Sequence, residues 1–460
     1  MKKLLYLLMS CLPLVVSSQQ SGNNSTPLEY AWKNVGNAGF SAGEVDYPGF
    51  AFSPSGESYV VFQDWSNSKK ATAMKFNGSS WVVVGSAGFS AEEADYTCIA
   101  FSLSGQPYVA YTDSSDSYKA TVMKFDGTNW VNVGSSGFSA GKAEYINIAF
   151  SPSGEAYVAF KDDAHSGKAS VMKFDGSNWV NVGIAGFSAG PAMYTSLAIH
   201  PSDGMPYVGF RDAGNDYKAT VMKFNGTNWI NVGNAGFSDG DVISTSLAFN
   251  PSDNQPYIAY RDDGEPDGKA TVMRYDGTAW VNVGNAGFSQ GIAYNTSLAM
   301  SPSGQPYVAF LDGGNSVKAT VMKFDGNTWV DVGVAGFSAG IAEHSKLAIN
   351  SSGQPFVTYQ DYQYSGKATV MTYDSVFVGV NELPGLKLTA YPNPVQGKLT
   401  LETSEIPYHL SIINLVGKEL MSMQVSEPKV ILDLASLPGG VYILEMKNDR
   451  TLKMEKIIKQ

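Results

Sequence analysis

Cysteine is almost missing: the 460 residues hold two, Cys11 and Cys98. If an N-terminal leader carrying Cys11 is removed, no intrachain disulfide and no cysteine zinc cluster can form. Histidine is nearly as rare, and His165, His200, His344 and His409 show no metal-ligand spacing. Charged residues make up only 16% of the chain, with a net charge of −11. That leaves no basic stripe to neutralise phosphates, so no nucleic-acid partner is expected. Helical periodicity is absent, and beyond the N-terminus no stretch is apolar enough to span a membrane as a helix. What is plentiful is glycine, with 48 copies, and tyrosine, with 25. This is the composition of a turn-rich β protein.

Met1–Ser18 has the parts of a secretory signal: Lys2 and Lys3, an apolar run from Leu4 to Val16, then Ser17 and Ser18. Leu8-Met9-Ser10-Cys11 offers a competing lipoprotein signal, although Met9 fits poorly and the apolar run continues past the cysteine.

One phrase, spelled "WVNVGNAGFS" at Trp280, recurs with small changes at Trp32, Trp81, Trp130, Trp179, Trp229 and Trp329. The successive spacings are 49, 49, 49, 50, 51 and 49 residues, the period of propeller blades. Within a unit, "INIAF", "YVAFKD", "KASVMKF" and "WVNVG" (Ile146 to Gly183) alternate with turn sequences, which predicts four antiparallel strands. In "DGSN", Gly176 supplies the positive φ of a tight hairpin. Six units from Gly49 to Trp329 are complete. The seventh, Lys346 to Tyr373, lacks its last strand, and Trp32–Gly36 stands alone at the other end. The expected fold is all-β: a seven-bladed β-propeller over residues 29–375, its ring closed by the N-terminal strand, which removes an exposed sheet edge.

Two rings of residues recur on one face of such a propeller. Each second strand ends in aspartate (Asp64, Asp113, Asp162, Asp212, Asp262, Asp312, Asp361), and each third strand begins with lysine. The carboxylates could coordinate ions or sugar hydroxyls. They could equally cap their loops and face the lysines across the hairpin, and identical recurrence in every blade favours this structural role. The Phe of "GFS" reads as a plug between blades. Variation marks the loops after each Asp, with Trp65, Tyr118, Tyr217, Tyr362 and Tyr364 as exposed aromatics. The opening position of the first strand also varies: Tyr47, Tyr96, Tyr145 and Tyr194, then Ser244, Asn295 and His344. An aromatic and polar rim on a rigid scaffold suits a binding surface, sugars above all.

Catalysis has thin support. Cys98 aligns with Gly49, Asn147, Ser196, Ser246, Ser297 and Lys346, so it is expected as a buried substitute rather than a nucleophile. The "DGTNW" hairpin is faintly similar to the Asp-box of sialidase-like propellers, but Gly127 follows Asp126 directly, so no active site is carried over. The expected function is a binding or adhesion module for an extracellular glycan or protein, without cofactor or metal. The alternative is a polysaccharide- or glycan-active propeller enzyme.

Residues 376–385 read as a linker, and 386–460 as a small β-sandwich of Ig-like type with strands such as "KLTLE" and "VYILEM". The segments "LTAYPNPVQGKLTLE", "SIINLVGKEL", "LDLASLPGGVYILEM" and "EKIIKQ" resemble, in order, the blocks of the type A sorting domain of type IX secretion cargo in Bacteroidota. The resemblance rests on Tyr391, Pro392, Asn393, Pro394, Gly397, Gly417, Gly440, Tyr442, Lys456 and Lys459. It implies recognition by the type IX translocon and its PorV-type outer-membrane shuttle, then release or surface attachment. On physical grounds, Gly417 and Gly440 are expected to permit hairpin geometry.

Overall fold

The computed structural model describes residues 29–264, 268–376, 388–403, 406–414, 418–447 and 452–460. The expected leader at 1–18, nearly all of the linker and Gly417 lie outside the described residues. Contacts separate a unit spanning Tyr30–Ser375 from the C-terminal segment, and the two are treated in turn.

The first unit consists of seven four-stranded antiparallel sheets, numbered here as blades I to VII. Blade III shows the pattern, with strands Ala143–Phe150, Ala156–Asp162, Lys168–Phe174 and Trp179–Asn181. Its first strand begins three residues before the expected "INIAF", because it continues through a bulge between Glu144 and Asn147. Gly176 takes the anticipated positive φ, at 102°. Blade VII is built from Ala342–Ile349, Pro355–Asp361 and Lys367–Val376, with Glu29–Asn34 as its outer strand. The chain's beginning therefore closes the ring on its end.

Why one phrase is written seven times is now a matter of packing. Each phrase tryptophan donates Nε1–H to a valine carbonyl of the preceding blade at 2.7–2.8 Å, from Trp81 on Val35 round to Trp32 on Val332. The Phe of "GFS" in the preceding blade stacks on the same indole with ring centroids 3.9–4.6 Å apart. A stacked pair contributes about 0.5–1.5 kcal/mol beyond its burial. Gly36 ends the phrase at φ 73°, where a Cβ would sit 3.1 Å from the Phe76 ring and 3.2 Å from Trp81. A larger residue there would push two blades apart. The apolar cores lie between blades: Ala120 and Val122 of blade II pack with Val158 and Phe160 of blade III. The interface of blades VII and I is built alike, with Val370 against Val45, Val60 and Trp81.

In the C-terminal unit, Leu388–Tyr391, Lys398–Thr403 and Lys429–Asp433 form one sheet. Glu419–Val425, Tyr408–Asn414, Gly440–Lys447 and Leu452–Lys459 form the other. Leu399 and Leu401 from the first sheet share a core with Leu410, Ile412, Leu444 and Ile457 from the second, the expected sandwich. Asn393 acts as an extra rung on the last strand: Nδ2 donates to the Lys456 carbonyl at 2.7 Å and Oδ1 accepts from the Ile458 amide at 2.9 Å. The Tyr442 hydroxyl donates to the Pro438 carbonyl at 2.7 Å. Tyr391 donates to Glu402 at 2.7 Å and stays 41% exposed. Lys456 is exposed, and Lys459 is partly so. Gly440 corrects its expectation. It opens a strand without positive φ, and a Cβ there would meet only the Tyr442 ring at 3.9 Å. Around Gly397 a Cβ would meet nothing within 4 Å.

Candidate functional site

The loops after the second strands and the connections between blades share one face. The Trp65 amide donates to the Glu44 carbonyl at 3.1 Å, and among the described residues six blades show a short 3-10 turn there. Asp64, Asp113, Asp162, Asp212, Asp262, Asp312 and Asp361 hold these turns and are only 1–2% exposed. One carboxylate oxygen accepts from the backbone two residues on, at 2.9–3.1 Å in all seven blades. In blade IV the other accepts from Asn215 at 2.8 Å and Thr220 at 2.9 Å, and Thr220 in turn accepts from the Gly236 amide at 2.9 Å. That chain ties the loop to the next connection.

The expected loop-capping role is what these bonds describe, while two other expectations of the ring are corrected. The strand register does set each aspartate opposite its lysine, but the carboxylate turns inward to the loop instead of pairing across the hairpin. Being buried beneath the turn, the ring is framework and presents no open carboxylates to an ion or sugar. Burial raises the pKa of Asp361.

The loop aromatics stand outside this framework. Trp65, Tyr118, Tyr217, Tyr362 and Tyr364 are 40–46% exposed. Trp65 donates Nε1–H to Asp46 at 2.8 Å and Tyr362 donates to Glu343 at 3.2 Å. Arg211 lies 4.4 Å above the Tyr217 ring, and Lys142 lies 5.6 Å from that of Tyr118.

Nearer the axis lies a feature that the sequence shows only as an alignment column. At the first-strand bulge Tyr47, Tyr96, Tyr145, Tyr194, Ser244, Asn295 and His344 all adopt φ of 50–57°. The left-handed region costs a non-glycine residue about 1–2 kcal/mol, and such strain clusters at functional sites. Bulges re-aim side chains, and here they aim seven of them into the mouth of a central cavity of about 420 Å³. Small-molecule sites run from ~300 to ~1,000 Å³. Threonines of neighbouring blades brace the strained carbonyls: Thr97 donates to that of Tyr47 at 2.7 Å and Thr195 to that of Tyr145 at 2.5 Å.

The mouth is asymmetric. His344, Tyr47, Tyr96, Tyr145 and Tyr194 form an unbroken arc, each ring 4.9–5.2 Å from the next. Ser244 and Asn295 leave a polar gap over blades V and VI. Burial pushes the Tyr47 phenol up to about 12, helped by Asp95 and Asp46, and raises Tyr96 and Tyr145 as well. The same burial lowers His344. Burial thus favours the uncharged forms of Tyr47, Tyr96, Tyr145 and His344. Two residues further along each inner strand come Gly49, Cys98, Asn147, Ser196, Ser246, Ser297 and Lys346, also lining the cavity. Cys98 sits there only half-buried, not fully buried as expected; desolvation pushes its thiol up to about 12, and it donates to the Ala110 carbonyl at 3.6 Å.

Non-repeating charges flank the mouth in blades III to V, each matched by a neighbour. Lys161 meets Glu144 at 2.5 Å and Asp163 at 3.3 Å, Arg211 grips Asp241 at 2.7 and 2.6 Å, and Arg261 meets Asp263 at 2.7 Å. Among the described residues no group of three or more His, Cys, Asp or Glu is placed to hold a metal ion.

A search of curated proteins finds none that matches the chain. Among solved structures it is similar to an ulvan lyase of polysaccharide lyase family PL25, with 12% identity and a TM-score of 0.51, over 73% of this chain and 95% of that one. It is also similar to PorZ, a surface component of the type IX secretion system of Porphyromonas gingivalis (15% identity, TM-score 0.43, 89% of this chain and 59% of that one). A third is a mutant of the Aleuria aurantia lectin in complex with a fucosyl disaccharide (16% identity, TM-score 0.42, 66% and 100%). The first likeness shows the propeller fold alone, and the lower scores of the other two carry no argument. Residues 389–460 match the family described as secretion system C-terminal sorting domain. The C-terminal segment is therefore a sorting domain of that family, and it marks the chain as type IX secretion cargo bound for the cell surface or the medium.

Proposed function

We propose that the exported propeller is a glycan-binding module whose ligand seats in the axial funnel, with the rim aromatics Trp65, Tyr118, Tyr217, Tyr362 and Tyr364 as outer contacts. The observation that carries this reading is the arc of five adjoining rings beside a polar gap. Pyranose rings have apolar C–H faces that stack on aromatics and hydroxyls that need partners, here Ser244 and Asn295. Binding is preferred to turnover because carboxylates at the mouth are engaged. Glu144 lies between Lys142 and Lys161, Asp241 is held by Arg211, and Asp95 accepts from Gln63. The sorting domain would engage the translocon and a PorV-type shuttle through its exposed Tyr391 and Lys456.

A glycan and polysaccharide screen on the full-length protein tests the reading, with Tyr96→Ala run beside it. Retention of at least one ligand by the wild type, lost in the folded variant, is expected. No retention at all, or equal retention by both, refutes it. Release of shortened oligosaccharides during incubation would instead identify an enzyme.

A further inference from the structure

Of the seven residues in the second layer of the axial cavity, six are small or neutral and one is a lysine. Lys346 lines the cavity with its side chain exposed to the solvent there, while the surrounding wall still disfavours its charge and lowers its pKa. Among the described residues no carboxylate forms an ion pair with it, and the titratable group felt most closely is the Cys98 thiol. The other six blades show that the fold has no need of a lysine here.

Its neighbours in the ring make the arrangement specific. Ser196, Ser246 and Ser297 accept the backbone amides of Leu247, Leu298 and Leu347 at 2.9–3.0 Å. With each oxygen accepting one amide, each hydroxyl still carries a hydrogen to donate. Three O–H donors and an ammonium on four successive blades, with no acidic side chain lining the cavity, form a receptor for a negatively charged group.

We propose that the axial cavity is an anion site, in which Lys346 and the serine hydroxyls of blades IV to VI take the carboxylate or sulfate of an acidic sugar. This rests on the glycan-binding reading and names the ligand class. The sugar ring would lie against the tyrosine arc, with its anionic substituent pointing down the axis.

Full-length protein and Lys346→Met are titrated calorimetrically with inorganic sulfate, with galacturonan oligosaccharides, and with the methyl esters of those oligosaccharides. Sulfate should bind the wild type, and the free acid should bind it about tenfold or more tighter than the ester, as a hydrogen bond to a charged group implies. In Lys346→Met sulfate binding and the acid preference should vanish while ester affinity persists. The thermal midpoint of ligand-free Lys346→Met should be unchanged, since an exposed side chain in the lumen adds little to the core. Ser246→Ala, which keeps the lysine, should weaken sulfate binding severalfold. Equal acid and ester affinity in the wild type overturns the anion site and leaves glycan binding standing. Lysine-dependent sulfate binding without any sugar binding supports the site and counts against the glycan reading. A marked loss of stability in Lys346→Met would make the lysine structural and overturn the proposal.

Discussion

Replacing Asp212 with alanine separates a framework carboxylate from a ligand-binding one. In the structure Asp212 is 1% exposed and accepts from the Gly214 amide at 3.0 Å, Asn215 at 2.8 Å and Thr220 at 2.9 Å. The cap alone contributes about 1 kcal/mol. Hydrogen bonds to charged groups contribute about 1.5–3 kcal/mol each, though not additively within one cluster, and water replaces part of the loss. The expected cost of Asp212→Ala is therefore about 2–4 kcal/mol. At ~2.1 cal/mol/K per residue, the unit Tyr30–Ser375 has an unfolding entropy of roughly 0.7 kcal/mol/K. Scanning calorimetry should then show the propeller transition lowered by about 3–6 °C. Asp212→Asn keeps an acceptor for the Gly214 amide and should lose roughly half as much. A full-stability Asp212→Ala that no longer binds ligand would refute the reasoning and return the aspartate ring to the binding site.

Deleting Glu29–Gly36 removes the Trp32–Val332 bond, the Trp32–Phe337 stack and the Lys33–Asp374 ion pair. Destabilisation should exceed the ~3–5 kcal/mol of truncating one core tryptophan, with aggregation through the new edge; an unchanged midpoint would rule out closure by this strand. His344 has its pKa lowered in the fold by burial, so below about 6.5 the unfolded chain binds the proton first. Stability should fall as pH drops from there through the folded pKa, and His344→Phe should flatten that part of the profile; a profile identical to wild type contradicts the assignment. Removing residues 386–460 should leave a folded propeller inside the outer membrane, and efficient secretion of the truncated chain would contradict the sorting role.

Much of this architecture was legible because it repeats. Trp32 at one end and a blade lacking its phrase at the other announce ring closure before any coordinates are seen. The aspartates show the limit of such reading. Strand alternation places Asp212 opposite Lys218, but whether a strand-end carboxylate turns outward or caps its own loop depends on the 3-10 turn that follows. The axial funnel was half visible. Tyr47 and its equivalents form a varied column, yet nothing in the sequence shows the bulge and positive φ that turn them toward the axis. Lys346 was legible only as the odd member of a small-residue column; its unpaired state needed the cavity.

Ligand in the funnel, with the rim only framing it, makes the two sets of aromatics separable by mutation. Affinity for one retained glycan, measured in parallel on Tyr96→Ala/Tyr145→Ala and Tyr217→Ala/Tyr362→Ala, tests that most directly. The funnel pair should lose about five- to 150-fold, from two stacking contacts of ~0.5–1.5 kcal/mol each, and the rim pair less. Full affinity in the funnel pair, with binding abolished in the rim pair, would contradict it.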